Sequence, residues 1–132
     1  MLHICNISQK GTDDRGEWVS VCNEGSAPQA LTGLEITDYT KTQQHVHVYR
    51  FPKTTSGTNL MLGAGQVAYI FTGHGKSEWI TTKKGNRAIL LFAGKSAPVW
   101  NNTGDVAYLR KLDGTFVDTK TVGSPARHPN GH

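Results

Sequence analysis

Apolar residues in this chain return at every second position and almost never at every third and fourth, and that period constrains the fold more than any other feature. In "EWVSVCN", Val19 and Val21 fall on one face and Trp18, Ser20 and Cys22 on the other; in "LTGLEITDY", Leu34 and Ile36 stand against Glu35 and Thr37. Side chains of an extended strand point alternately to opposite faces, so this spacing predicts strands with one face on a core. No window holds apolar residues at i, i+3, i+4 and i+7 without a Gly or a β-branched run breaking it, so helices are not expected. Further strand-like runs are "HVHVYRF", "GQVAYIFTG", "RAILLFAG", "DVAYLRK" and "TFVDTK", each bounded by Gly, Pro, Asn or Asp. Their spacing suits a sandwich of two sheets.

Two of these runs, Val67 to Phe71 and Ile89 to Phe92, are apolar on both faces. They are expected to be central strands, with one face on the core and the other under a loop. "DVAYLRKLDGTFVD" reads as a hairpin turning at Asp113-Gly114, with Ala107 and Leu109 inward and Tyr108 and Arg110 outward. The polar corner "NNTGD" ahead of it needs no catalytic explanation. Asn, Gly and Asp tolerate left-handed backbone and bond to nearby amides, which is what a reversal between strands requires.

A length of 132 residues suits one domain. The sandwich is expected over residues 1–123, with 124–132 as a mobile tail, because "GSPARHPNGH" has no apolar anchor beyond Val122. No apolar run is long enough to cross a bilayer, and "MLHICNISQK" lacks the basic opening and apolar stretch of a secretion signal, so a soluble chain is expected. Cys5 and Cys22 form no C-x-x-C pair, so no zinc or redox pattern is present. A hairpin around "KGTDDRG" would bring them near one another; two reduced thiols are the default, and a disulfide stays open.

The net charge of +4 is unevenly spread. From His74 to Gly104 the chain carries Lys76, Lys83, Lys84, Arg87 and Lys95 against Glu78 alone, and Trp79 lies among them in "GHGKSEWITTKKGNR". Read as a loop, this stretch combines cations with an aromatic face, which suits gripping a polyanion or a protein partner. A solvated lysine-rich loop is the plainer reading.

Several stretches resemble the lamin-tail domain, the immunoglobulin-like module that ends nuclear lamins and occurs in many bacterial proteins. They are "EWVSVCNEG", "LTGLEITD", "YRFP", "LGAGQVAYIFTGHG", "VWNNTGDVAYL" and "DGTFVD", in the family's order from about Glu17 to Asp118. The resemblance implies an all-β fold, a single antiparallel immunoglobulin-like β-sandwich of the lamin-tail type, in which "YRFP" ends one strand and "GAGQ" turns into the next. Pro52 fits that place, since it cannot donate to a ladder. Val19, Val21, Leu34, Ile36, Ile70, Leu91, Ala107 and Leu109 are the expected core, and Trp100 is expected as a further anchor. The resemblance also implies a binding or tethering role rather than catalysis, with protein or nucleic acid as partner and no cofactor.

Sharper chemistries find little support. His45 and His47 share a strand face, but no third ligand is near in sequence, though His74 or Asp38 could approach in space. Asp13, Asp14, Glu17, Asp105, Asp113 and Asp118 sit at turns and loop ends, without the spacing of a helical calcium loop. "GHGKS" and "AGKS" lack the upstream glycine of a phosphate loop, having Ile70 and Ile89 there instead. No Gly-x-Ser-x-Gly is present. The expectation is therefore a non-catalytic module meeting a macromolecule through Lys76, Trp79, Lys83, Lys84, Arg87 and Lys95, with weak, salt-sensitive contact if the partner is nucleic acid. The alternatives are an assembly domain that pairs a partner strand with an open sheet edge, and, from another class, a metal-dependent hydrolase or calcium-dependent adhesion module.

Overall fold

The structure, a computed structural model, describes residues 1–9, 16–39, 48–95 and 106–122. Its strands are β1 (Leu2–Ser8), β2 (Trp18–Asn23), β3 (Gln29–Ala30), β4 (Leu34–Tyr39), β5 (Val48–Arg50), β6 (Met61–Leu62), β7 (Val67–Phe71), β8 (Glu78–Thr81), β9 (Arg87–Phe92), β10 (Val106–Lys111) and β11 (Phe116–Thr121). They form a five-stranded sheet in the order β1-β2-β7-β9-β8, a four-stranded sheet in the order β11-β10-β4-β5, and a small β3-β6 pair. The described residues contain no helix, as the period of the apolar residues predicts.

The two larger sheets bury their inward positions against each other. Val19, Val21, Ile70 and Leu91 from one, and Leu34, Ile36, Ala107 and Leu109 from the other, are all buried, so each core residue expected from the alternation is in the core. Burying side chains of this kind contributes about 1.5–3 kcal/mol each for the larger ones. Tyr108 and Arg110 lie on the opposite face of β10, half-buried, as expected of the hairpin. Val67 to Phe71 and Arg87 to Phe92 are the central strands β7 and β9, flanked on both sides. Among the described residues every strand pair runs antiparallel except this one, which runs parallel. The link between them folds out as β8, which then pairs antiparallel with β9 and becomes the sheet edge.

The outer face of the five-stranded sheet carries a second apolar layer. Trp18 meets Tyr69 edge to face at 5.0 Å, and Phe71 stacks on Phe92 at 5.1 Å. Beside them Cys5 and Cys22 are joined in a disulfide, with Cα atoms 6.0 Å apart, so the default of two reduced thiols is corrected. The physical reason lies in the β1–β2 ladder. Its register slips between Ile4 and Asn6, and the extra residue at this bulge is Cys5. The bulge lets Ile4 and Ile7, three positions apart, both reach the core, and it leaves Cys5 packed with Cys22, Val67 and Ala88. The expected turn at 10–15 lies outside the described residues, as do the corner at 101–105 and the tail from 124.

The two sides of the sandwich differ. On one, the Ile4 amide of β1 donates to the Asp118 carboxylate of β11 at 2.8 Å, which ties the sheets together. On the other, β8 and β5 are the edge strands, and Pro52 to Thr55 and Leu60 line the space beside β8.

Candidate interaction edge and groove

The stretch read as a basic loop is instead a hairpin, which corrects that expectation. Its alternation is short, only Trp79 and Thr81 against Glu78 and Ile80, so the period was too brief to register. The turn is closed by the Thr82 amide donating to the Asn86 carbonyl at 2.7 Å and the Gly85 amide to the Thr82 carbonyl at 2.9 Å. Gly85 sits at φ +86°, a left-handed angle that L side chains rarely adopt. The Asp113-Gly114 hairpin turns the same way, with its positive angle at Gly114. There the Asp113 carboxylate accepts from the Thr115 amide at 2.9 Å, and that bond holds its carboxyl below the ordinary range.

The hairpin brings together some of the expected contact residues and separates others. Trp79 pairs with Ile89, so its ring lies on the inner side of the sheet at the open edge, 37% exposed. The Arg87 guanidinium sits over that ring, 5.2 Å from its centroid. Lys83 and Lys84 occupy the exposed turn next to them. Lys76 and Lys95 stand at the other end, where residues 72–75 run beside 93–95, roughly 20 Å away at the rise of an extended strand.

Under Trp79 lies an open groove of ≈ 380 Å³. Its floor is Leu60, Ile89 and Leu91; one wall is Ser77, Glu78 and Trp79, and the other is Pro52 to Thr55. That second wall is held by Thr32, whose hydroxyl donates to the Pro52 carbonyl at 2.8 Å and accepts from the Leu60 amide at 2.7 Å. Pro52 follows the end of β5, as the terminator reading expected. Along β8, hydrogen-bonded pairs alternate with unbonded ones. Since Thr82 bonds Asn86, the bonded pairs are Ile80–Ala88 and Glu78–Leu90, and the backbone N–H and C=O groups of Trp79 and Thr81 point away from β9. Among the described residues no strand pairs with that edge.

A family model, Lamin Tail Domain, matches residues 2–124. The chain belongs to the Lamin Tail Domain family. The all-β immunoglobulin-like sandwich is that of the family, whose domains are generally non-enzymatic modules. Among curated proteins, none matches this chain.

Elsewhere on this lamin-tail domain, the outer face of the four-stranded sheet holds a charged cluster that the sequence did not single out. Glu35 is buried on the outward side of β4, and its carboxylate accepts from Arg110 at 2.7 Å and from Arg50 at 3.2 Å. Burial pushes its carboxyl up, but the hydrogen bonds and charges of the two guanidiniums outweigh that and hold it below the ordinary range. The clue was present in the register, since Glu35 is opposite Arg110 on one side and Arg50 on the other. Near it Tyr108 stacks on Phe116 at 5.0 Å.

For metal binding, His45, His47, Asp13, Asp14 and Asp105 lie outside the described residues, as does Trp100. Of the rest, Asp38 is buried opposite Ala107 on β10, and His74 lies next to Gly94. Among the described residues, no three His, Cys, Asp or Glu side chains converge on a point that could hold an ion. No described helix is long and apolar enough to cross a membrane.

Proposed function

We propose that this lamin-tail domain is a non-catalytic docking module that meets a polyanionic macromolecule through the β8–β9 hairpin. The single observation that supports this reading most is the Arg87 guanidinium held over a part-exposed Trp79 at an open sheet edge. Cation and ring together form a surface that is apolar, positive and shaped, which a lysine-rich loop alone would not be. Lys83 and Lys84 in the adjoining turn extend the positive potential along the edge, and Glu78 is the one acid in the hairpin. Lys76 and Lys95, at the far end, fit a second and weaker contact. The Cys5–Cys22 disulfide fits a domain that works in an oxidising compartment, where such bonds persist.

The test is a panel of labelled polyanions, namely duplex DNA, single-stranded DNA, heparin and polyglutamate, titrated by fluorescence anisotropy at 50 and 200 mM salt. At least one should bind, weaken at the higher salt, and be lost when Lys83→Ser, Lys84→Ser and Arg87→Ser are combined. A domain that binds none of them at either salt, or whose binding survives the triple substitution, would overturn the reading.

A further inference from the structure

We infer that the occupant of this edge is an extended acidic peptide segment of a partner protein, added to β8 as a further strand with one apolar side chain seated in the groove. The inference rests on the reading of the β8–β9 hairpin as the binding face and narrows its partner class. Three independent features converge on it. The first is hydrogen bonding: the outward N–H and C=O groups of Trp79 and Thr81 form the template that an incoming strand pairs with.

The second is registration between edge and groove. Side chains of an added strand alternate between faces. Those on the inner side fall next to Trp79, directly above Leu60, Ile89 and Leu91, so strand pairing and groove filling are satisfied by one backbone position. Cations at a sheet edge often serve only to keep other edges away. A protective edge has no use for an apolar slot held open beside it.

The third is charge. Lys83, Lys84 and Arg87 crowd the turn end of β8, whereas Glu78 stands at its start. An acidic segment is therefore attracted, and its most acidic end lies toward the turn. Nucleic acid could use the same cations and stack on Trp79, but it would leave the outward backbone groups of Trp79 and Thr81 unanswered.

Two labelled peptides in which glutamate alternates with valine make the test, one unmodified and one N-methylated at every peptide nitrogen. Both carry the same charge, and the second cannot pair as a strand. In anisotropy titrations the unmodified peptide should bind, and the methylated one at least ten-fold more weakly. Thr81→Pro, which removes an outward N–H without touching the ladder to β9, should weaken the unmodified peptide by a similar factor. Equal binding of the two peptides would overturn strand addition while leaving the basic-edge reading intact. Duplex DNA binding more tightly than the unmodified peptide would overturn it in favour of nucleic acid, and failure of every polyanion would bring down both readings. The peptide comparison stands on its own if the proline variant does not fold.

Discussion

Asn23, at the end of β2, is the residue whose loss should damage this domain most for its size. It is 1% exposed, and its side-chain amide donates to the carbonyls of Ala27 at 2.8 Å and Leu62 at 2.9 Å, while its oxygen accepts from the Gly25 amide at 2.9 Å. Its backbone adds two more ties, donating to the Gln66 carbonyl at 3.2 Å and accepting from the Gly65 amide at 2.9 Å. One residue thus joins the turn after β2 to the β6 strand through its side chain, and to the residues before β7 through its backbone. In Asn23→Ala the backbone ties remain and four side-chain bonds are lost, the fourth being that of the Met1 ammonium, which donates to the Asn23 oxygen at 3.2 Å. The Ala27 carbonyl is exposed and regains water, so the cost comes from the Leu62 carbonyl and the Gly25 amide. At about 1–3 kcal/mol for the buried Leu62 carbonyl left unmet, and about 1 kcal/mol for the half-buried Gly25 amide, the loss should be about 2–4 kcal/mol. For a domain of this size, about 4 °C of melting temperature per kcal/mol makes this a fall of roughly 8–16 °C. Asn23→Asp should also destabilise near neutral pH, since it sets a carboxylate against two carbonyl oxygens, an effect that the Met1 ammonium beside its other oxygen offsets only in part. Its deficit should shrink as the pH falls and the acid regains a proton to donate. Guanidinium unfolding followed by circular dichroism measures both. A loss under about 0.5 kcal/mol for Asn23→Ala, or an Asn23→Asp variant as stable as the parent, would refute the reasoning.

Reducing the Cys5–Cys22 bond frees a loop with a sequence separation of 17 and should cost about 3 kcal/mol, read as a shift of the denaturant midpoint with and without reductant. A mass measurement after alkylation should show no modified cysteine before reduction and two after. Glu35, whose carboxyl is held below its ordinary value of 4.5, contributes stability that is present above that value and is lost as the pH falls through the lower folded value. Glu35→Gln should therefore flatten the acid limb of the stability profile. Arg110→Ala should cost more than Arg50→Ala, because the Arg50 side chain is 74% exposed and its ion pair is screened by water.

Much of the fold was legible because a strand with one buried face writes its orientation into a two-residue period. Val19 and Val21, Leu34 and Ile36, and Ala107 and Leu109 each announce their inward face locally, and the structure has them there. The same period hid what did not follow it. The Cys5 bulge breaks the alternation in β1, and a cross-strand disulfide depends on register, which cysteine spacing does not carry. Glu35 reads as an exposed acid until its two opposite neighbours, far apart in the chain, are known to be arginines. Thr32 and Asn23, polar and unremarked in the sequence, turned out to hold the groove wall and the β2 turn.

The candidate edge shows the division most clearly. Composition was enough to single out Lys83, Lys84, Arg87 and Trp79 as candidates, because charge and aromatic content are properties of residues alone. Tertiary structure decided that Arg87 lies over Trp79, that Lys76 and Lys95 stand apart from them, and that Leu60, Ile89 and Leu91 floor a groove at that edge. Those facts depend on β9 inserting between β7 and β8, a choice governed by which strands bury the most apolar surface together. Local sequence determined which residues face a core; only the pairing order of distant strands determined which edge was left open.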